Sequence, residues 1–341
     1  MKIKETLTYD DVLLTPQYSN IRSRREIRIG NTLRGNGPTI ALQLPIIGSP
    51  MDTISEEAMG TAMWRHGAFT ILHRYNSVEN QCALVDRVLL DGGNAGAAIG
   101  TTGDYLDRAT ALYDAGVRVL CVDVAHGHHI LMKETLQDLR NVLGDTVHIM
   151  AGNVATLEGY NDLVDWGADS VRCNIGGGSI CSTRIQTGHG VPGLQSILDC
   201  AKASRQIPII ADGGIRSAGD IVKALAAGAD FVMLGSLLAG TDEAPGDVIT
   251  TRKGKYKAYR GMASKDAQIE WRGKTASLEG IATTVPCKGP VGDVLAALER
   301  GIRSGFSYSG ARTIKELQKK ARFIRQTASG RVESSTHILG R

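Results

Sequence analysis

Eight short runs of apolar and small residues recur along this 341-residue chain, with helically spaced segments between them. The runs cover 45–51, 69–73, 95–100, 118–125, 147–154, 168–175, 208–215 and 231–236. They are continuous rather than alternating, the pattern of strands covered on both faces. Segments 55–66, 106–115, 130–143, 157–166 and 218–227 have the spacing of amphipathic helices, and Ser55, Thr156 and Ser217 stand where an N-cap is expected. Strand–helix units in this number and rhythm predict an α/β fold, a (β/α)8 TIM barrel forming one domain over residues 1–341. An open doubly wound sheet is the competing arrangement. It would favour a G-x-G-x-x-G after the first strand, which the chain lacks.

Two insertions break the rhythm. One is a loop over 176–192, after the sixth strand. The other is a flap over about 237–290, rich in Gly, Lys and Thr, between the eighth strand and a helix over 291–304. A connection that long inside a compact domain reads as a mobile lid or a disordered segment. An amphipathic helix over 313–325 and a polar tail follow.

In a barrel of this kind, chemistry gathers at the C-terminal ends of the strands. Sorted that way, the chain offers Met51-Asp52-Thr53 after strand one and Asp123, followed by His126, His128 and His129, after strand four. Gly152-Asn153 ends strand five, Asp212-Gly213-Gly214 ends strand seven and Gly235-Ser236 ends strand eight. Glycine turns after strands seven and eight suit a phosphate held by backbone N–H groups, with Ser179 and Ser236 as hydroxyl donors. Asp212 beside them suits the hydroxyls of a ribose. The ligand implied is a sugar phosphate or a nucleotide; the plainer alternative is two tight turns.

After strand six comes N-I-G-G-G-S-I-C-S-T-R, in which Cys181 follows Gly176, Gly177 and Gly178 and precedes Thr183. A thiol attacks as its thiolate, which a glycine turn leading into a helix favours. A packing cysteine is the alternative. The histidines do not have the i, i+4 spacing of a helical zinc motif, so they are expected to pack or to face solvent. The other cysteines form no C-x-x-C pair, as in a reducing compartment. The N-terminus lacks an apolar signal core, and no run approaches the ~20 residues of a membrane span. A cytoplasmic protein is expected. A net charge of +4 without a basic stripe argues against nucleic acid and leaves an anionic small molecule open.

G-G-G-S-I-C-S-T-R-I-Q-T-G, I-A-D-G-G-I-R, M-L-G-S-L-L-A-G-T-D-E-A-P-G, Y-R-G-M, P-M-D-T, D-V-A-H-G-H and A-G-N-V together resemble the IMP dehydrogenase/GMP reductase family, over nearly the whole chain. The resemblance implies a homotetrameric purine-nucleotide oxidoreductase using NADPH or NAD. It implies Cys181 as nucleophile at purine C2, forming a covalent thioimidate, with Thr183 and Glu279 serving leaving-group activation and proton transfer. Ser179, Asp212, Gly213, Gly214, Gly235, Ser236 and Tyr259 would hold the ribose phosphate, with Met51, Gly261 and Met262 at the nucleotide. Asp123 and Asn153 would border the nicotinamide ribose. The carbonyls of Gly176, Gly178 and Cys181 match the family's potassium loop.

Within the family, three features favour a GMP reductase. The regulatory CBS pair that interrupts most IMP dehydrogenases is absent, the flap is short, and no Arg-Tyr pair lies between Met262 and Glu279; Arg272 precedes Gly273. Other features look like an IMP dehydrogenase: A-G-T-D-E-A-P-G, Y-R-G-M and the E-S-S tail. Ala276 and Ile281 stand where a reductase-type flap has arginine and lysine, Asn174 and Gly177 replace the loop's common glycine and proline, and Pro50 is unusual in its place. An IMP dehydrogenase without CBS domains is therefore the alternative, followed by a catalytically inactive nucleotide-binding regulator.

Overall fold

The computed structural model describes residues 3–205, 207–275, 278–334 and 336. The eight apolar runs form one closed parallel barrel. Its strands are β1 (Ile46–Gly48), β2 (Phe69–Leu72), β3 (Gly96–Ile99), β4 (Val119–Asp123), β5 (His148–Val154), β6 (Ser170–Cys173), β7 (Ile209–Asp212) and β8 (Phe231–Leu234). Pairing of Val232 with Ile46, Met233 with Ile47 and Leu234 with Gly48 closes the ring between β8 and β1. The open-sheet alternative is thereby excluded.

Each strand leads to a covering helix: α1 (Glu57–Arg65), α2 (Val78–Leu90), α3 (Tyr105–Asp114), α4 (Ile130–Leu143), α5 (Leu157–Asp165), α6 (Gly193–Cys200), α7 (Ala218–Ala226) and α8 (Val291–Tyr308). The strands are apolar throughout because both faces are covered. Inward residues such as Ile47, Phe69, Ile71, Met150, Phe231 and Met233 fill the barrel, and Leu33, Ile40 and Leu42 join that cluster from the hairpin Asn31–Leu33/Ile40–Leu42. The outward faces pack on the helices in a second core.

Three local expectations need correction. Ser55 does not cap α1: it is buried, its hydroxyl donates to the Ser49 carbonyl at 2.6 Å, and Glu56 occupies the cap position without a side-chain bond. Thr156 and Ser217 do cap α5 and α7. The helix expected over 313–325 stops at Lys320; Phe323–Arg325 is instead a strand, antiparallel to Val12–Leu14. That N-terminal edge has open backbone donors and acceptors, which the strand satisfies and a continued helix would leave unpaired. Lastly, the flap is not a featureless loop. Ile249–Thr251, Gly254–Arg260 and Ala282–Pro286 form a three-stranded antiparallel sheet, and Lys265–Arg272 is a helix capped by Ser264.

Candidate functional site

One cavity of about 280 Å³ opens at the C-terminal end of the barrel, and the residues that the family resemblance assigns to the site all line it. Barrel residues Met51, Asp123, Asn153, Asp212, Gly213, Gly214, Gly235 and Ser236 form its floor and walls. The loop after β6 brings Gly176, Gly178, Ser179, Cys181 and Thr183. The flap brings Tyr259, Gly261, Met262 and Glu279.

The turn after β7 needs its glycines. Gly213 and Gly214 have φ of 83° and 78°, where a side chain is strained, and a Cβ on Gly213 would lie 3.1 Å from the backbone nitrogen of Gly178. The cysteine loop therefore sits directly on the β7 turn. Asn174 ties the two together: its side-chain amide donates to the carbonyls of Asp212 at 2.8 Å and Gly213 at 3.3 Å. It does so from a φ of 132°, unusual for a residue with a side chain. Across the turn, the Ser179 and Tyr259 hydroxyls are 3.1 Å apart. Burial raises the Tyr259 phenol above its usual range.

Beneath the cavity lies a charged cluster that the sequence reading missed. Arg172, 4% exposed, projects from β6. Its guanidinium donates to Asp123 at 2.5 Å and to Asp212 Oδ2 at 2.8 and 3.2 Å. Gly152 makes the room, since a Cβ there would lie 2.5 Å from the Arg172 Cβ. Asn153 also donates to Asp212 Oδ2, at 2.8 Å. One oxygen of Asp212 thus carries all three bonds and orients the carboxylate. The signal was available: an arginine inside an apolar strand must find carboxylates, and β4 and β7 each end in one.

At the other end of the cavity stands a short relay. The Cys181 thiol is 3.2 Å from the Thr183 hydroxyl, which donates to Glu279 Oε2 at 2.7 Å. The backbone holds the flap strand to the cysteine loop: Ser182 N–H donates to the Glu279 carbonyl at 2.8 Å and Ile281 N–H to the Ile180 carbonyl at 3.1 Å. Thr183 opens a five-residue helix, Thr183–Thr187. Two carboxylates grip the flap's Arg260, namely Asp52 at 2.7 Å and Glu270 at 2.6 Å.

The histidines lie elsewhere. His128 pairs with Asp162 at 2.7 Å and packs near Trp166, His129 accepts from Leu131 N–H and caps α4, and His126 is exposed. Cys121 and Cys173 are buried as expected. Ala276 falls outside the described residues, as does Ser335 of the tail, while Ile281 is half exposed on the flap.

A closed parallel barrel with a cysteine, a hydroxyl and a carboxylate over paired glycine turns defines a barrel enzyme for a phosphorylated ligand. Comparison with known proteins makes the class specific. Residues 6–337 match the IMP dehydrogenase / GMP reductase domain. The chain belongs to this family of purine-nucleotide oxidoreductases using nicotinamide cofactors. GMP reductase of Leishmania major is 34% identical, covering 99% of this chain and 98% of that protein. Inosine-5'-monophosphate dehydrogenase of Nitrosopumilus maritimus is 33% identical, covering 99% of each. The crystal structure of a cysteine-to-alanine variant of GMP reductase from Trypanosoma brucei, in complex with guanosine 5'-monophosphate, superposes with a TM-score of 0.92 at 32% identity over 98% of each chain. The two relatives align over 485 and 475 residues, more than this chain contains. A relative named as a reductase thus carries extra sequence just as the dehydrogenase does, so compactness does not separate the two activities. Among the described residues, no helix is long and apolar enough to cross a membrane.

Proposed function

We propose that the protein is a GMP reductase, converting GMP to IMP and ammonia with NADPH. The observation that carries this reading is the flap. It presents Glu279 to Thr183 at 2.7 Å, where the carboxylate serves the threonine hydroxyl, and it carries no Arg-Tyr pair for the hydrolytic step. A dehydrogenase must hydrolyse its covalent intermediate, which needs a group able to take a proton from water. Between Met262 and Glu279 no Arg-Tyr pair occurs, and nearby Arg260 is bound to two carboxylates. Reductive deamination needs no water.

The roles follow from the contacts. The Cys181 sulfur bonds to purine C2 while its proton passes to the Thr183 oxygen, and Thr183 gives its own to Glu279. Returned along the same path, that proton reaches the C2 amine, which departs as ammonia and leaves the thioimidate. Asp123 and Asn153 would border a nicotinamide dinucleotide able to supply a hydride to C2; Cys181 then takes back the C–S electron pair as its thiolate, and IMP leaves. Ser179, Tyr259 and the turns at Gly213-Gly214 and Gly235-Ser236 hold the phosphate. Asp212, fixed through Oδ2, keeps Oδ1 for the ribose. Met51, Gly261 and Met262 border the base. Asp123 and Asn153 suit the cofactor ribose: Asp123 spends one oxygen on Arg172 and keeps the other.

The carbonyls of Gly176, Gly178 and Cys181 would supply part of a potassium shell. A second subunit of a homotetramer would supply the rest of the shell. The test is a cofactor-absorbance assay. NADPH oxidation with GMP should exceed NAD reduction with IMP, and Cys181→Ala should bind GMP yet support neither. Faster NAD reduction with IMP would assign the dehydrogenase instead.

A further inference from the structure

Two sequence motifs each carry a charged residue that the proposed reaction leaves unused: Asp52 in P-M-D-T and Arg260 in Y-R-G-M. Their neighbours Met51, Tyr259, Gly261 and Met262 line the main cavity, and the two charges lie behind its wall. They meet there across 208 residues of chain. Asp52 Oδ2 accepts from Arg260 Nε at 2.9 Å and from Nη2 at 2.7 Å. The backbone joins the same contact. Arg260 N–H donates to the Thr53 hydroxyl at 3.3 Å, and Asp52 N–H donates to the Met262 sulfur at 3.3 Å. The turn after β1 is thus stitched to the flap at Arg260 and at Met262.

Arg260 stands between two carboxylates that differ in what they join. Asp52 belongs to the barrel, its side chain is 9% exposed, and it takes two of the guanidinium nitrogens. Glu270 belongs to the flap's own helix, is 69% exposed and meets the third nitrogen at 2.6 Å. Water screens the exposed pair, whereas a forked, charge-assisted contact at a largely buried carboxylate is strong and directional. Asp52 is therefore the partner that fixes the guanidinium against the barrel. Its Oδ1 is buried without a hydrogen-bond partner, so the hold passes through Oδ2 alone.

From Arg260 the hold reaches Glu279 through the backbone. Arg260 pairs with Ala282 across the flap sheet, Gly261 N–H donates to the Ile281 carbonyl at 3.0 Å, and Glu279 N–H donates to the Ala263 carbonyl at 3.1 Å. Glu279 then meets Thr183 at 2.7 Å. Reacting geometry is steep: a misplacement of about 1 Å costs about 10²-fold in rate.

We propose that Asp52, acting through Arg260, is a positioning residue for Glu279. It registers the flap strand on the turn after β1 so that the carboxylate meets the Thr183 hydroxyl. This role rests on reading Cys181, Thr183 and Glu279 as the reacting relay.

The experiment measures kcat, and GMP affinity by calorimetric titration, in Asp52→Asn, Glu270→Gln, Glu279→Gln and the double variant Asp52→Asn/Glu279→Gln. Asparagine keeps the size of the side chain but loses the charge that holds the guanidinium. Asp52→Asn should lower kcat by about 10–10²-fold with GMP affinity little changed, while Glu270→Gln stays near the parent. The double variant should be no slower than Glu279→Gln, because a residue that acts by placing Glu279 then has nothing left to place. Arg260→Lys keeps the charge but not the fork, and its kcat should fall between those of the parent and Asp52→Asn. If circular dichroism shows Asp52→Asn to be unfolded, Arg260→Lys carries the same comparison with and without Glu279→Gln. Additive losses in the double variant would overturn the proposal. So would a loss confined to GMP affinity, a parent-like kcat in Asp52→Asn, or an equal loss in Glu270→Gln. Both substrate pairs are assayed, GMP with NADPH and IMP with NAD. A dehydrogenase result changes which pair turns over and leaves the comparison between variants intact.

Discussion

Replacing Arg172 by methionine tests whether the buried cluster beneath the site organises it. The substitution keeps the side chain long and apolar but removes the guanidinium that Asp123 and Asp212 share at 2.5 and 2.8 Å. Both carboxylates are largely buried, at 20% and 14% side-chain exposure, so neither is fully rehydrated where it stands. Removing one partner of such a pair costs about 3–5 kcal/mol. Unfolding entropy scales as about 2.1 cal/mol/K per residue, which over 341 residues is about 0.7 kcal/mol per degree. The expected fall in Tm is therefore about 4–7 °C. Adding Asp212→Asn removes one stranded charge, so the double variant should regain stability, with a coupling of about 0.5–3 kcal/mol. Scanning calorimetry at matched protein concentration reads the stability, and GMP titration reads the site, whose ribose carboxylate has lost its anchor. A melt within about 1 °C of the parent, or strictly additive substitutions, would refute the argument.

Glu279→Gln keeps an acceptor for the Thr183 hydroxyl but cannot take its proton, so turnover should fall by about 10²–10⁴-fold with GMP affinity little changed; stopped-flow NADPH oxidation checks this, and full activity would remove Glu279 from the relay. A separate expectation concerns acid stability. His148 is fully buried, donor or acceptor to the Ser170 hydroxyl at 2.8 Å, and burial lowers its pKa to about 4. Its folded value lies below the unfolded one, so the stabilising contribution is complete above about pH 6.5 and is lost as pH falls through about 4. At pH 4.5 the loss should be on the order of 2 kcal/mol relative to neutral pH. Urea unfolding of the parent and of His148→Gln at the two pH values compares them; equal losses in both proteins would show that this histidine does not titrate as described.

Much of this architecture was legible because a barrel strand is covered on both faces and must be apolar along its length, a pattern that survives in sequence. The strand ends were legible for a related reason, since the fold gathers polar and glycine residues at one rim. The flap was not. Ile249–Thr251 is exposed along its whole length, and Gly254–Arg260 carries lysines and arginine. Backbone pairing rather than apolar patterning holds these strands, and pairing leaves little trace in composition. Arg172 was hidden differently: its partners lie 49 and 40 residues away on β4 and β7, and only the side-by-side pairing of β4 to β7 brings them together.

The loop before Cys181 shows how a position-by-position reading misjudges a paired change. Asn174 and Gly177 look like two departures from the family pattern. In space they are one. The Asn174 amide nitrogen, held by the carbonyls of Asp212 and Gly213, occupies the volume beside residue 177, where a Cβ would lie 2.0 Å away. Any residue larger than glycine at 177 would have to displace that amide. Losing the amide would in turn release the bond between the cysteine loop and the β7 turn. The Asn174 side chain is a crosslink between the cysteine loop and the β7 turn, and glycine at 177 is the space it requires. Asn174 and Gly177 together seat the cysteine loop on the β7 turn, and neither can be judged alone.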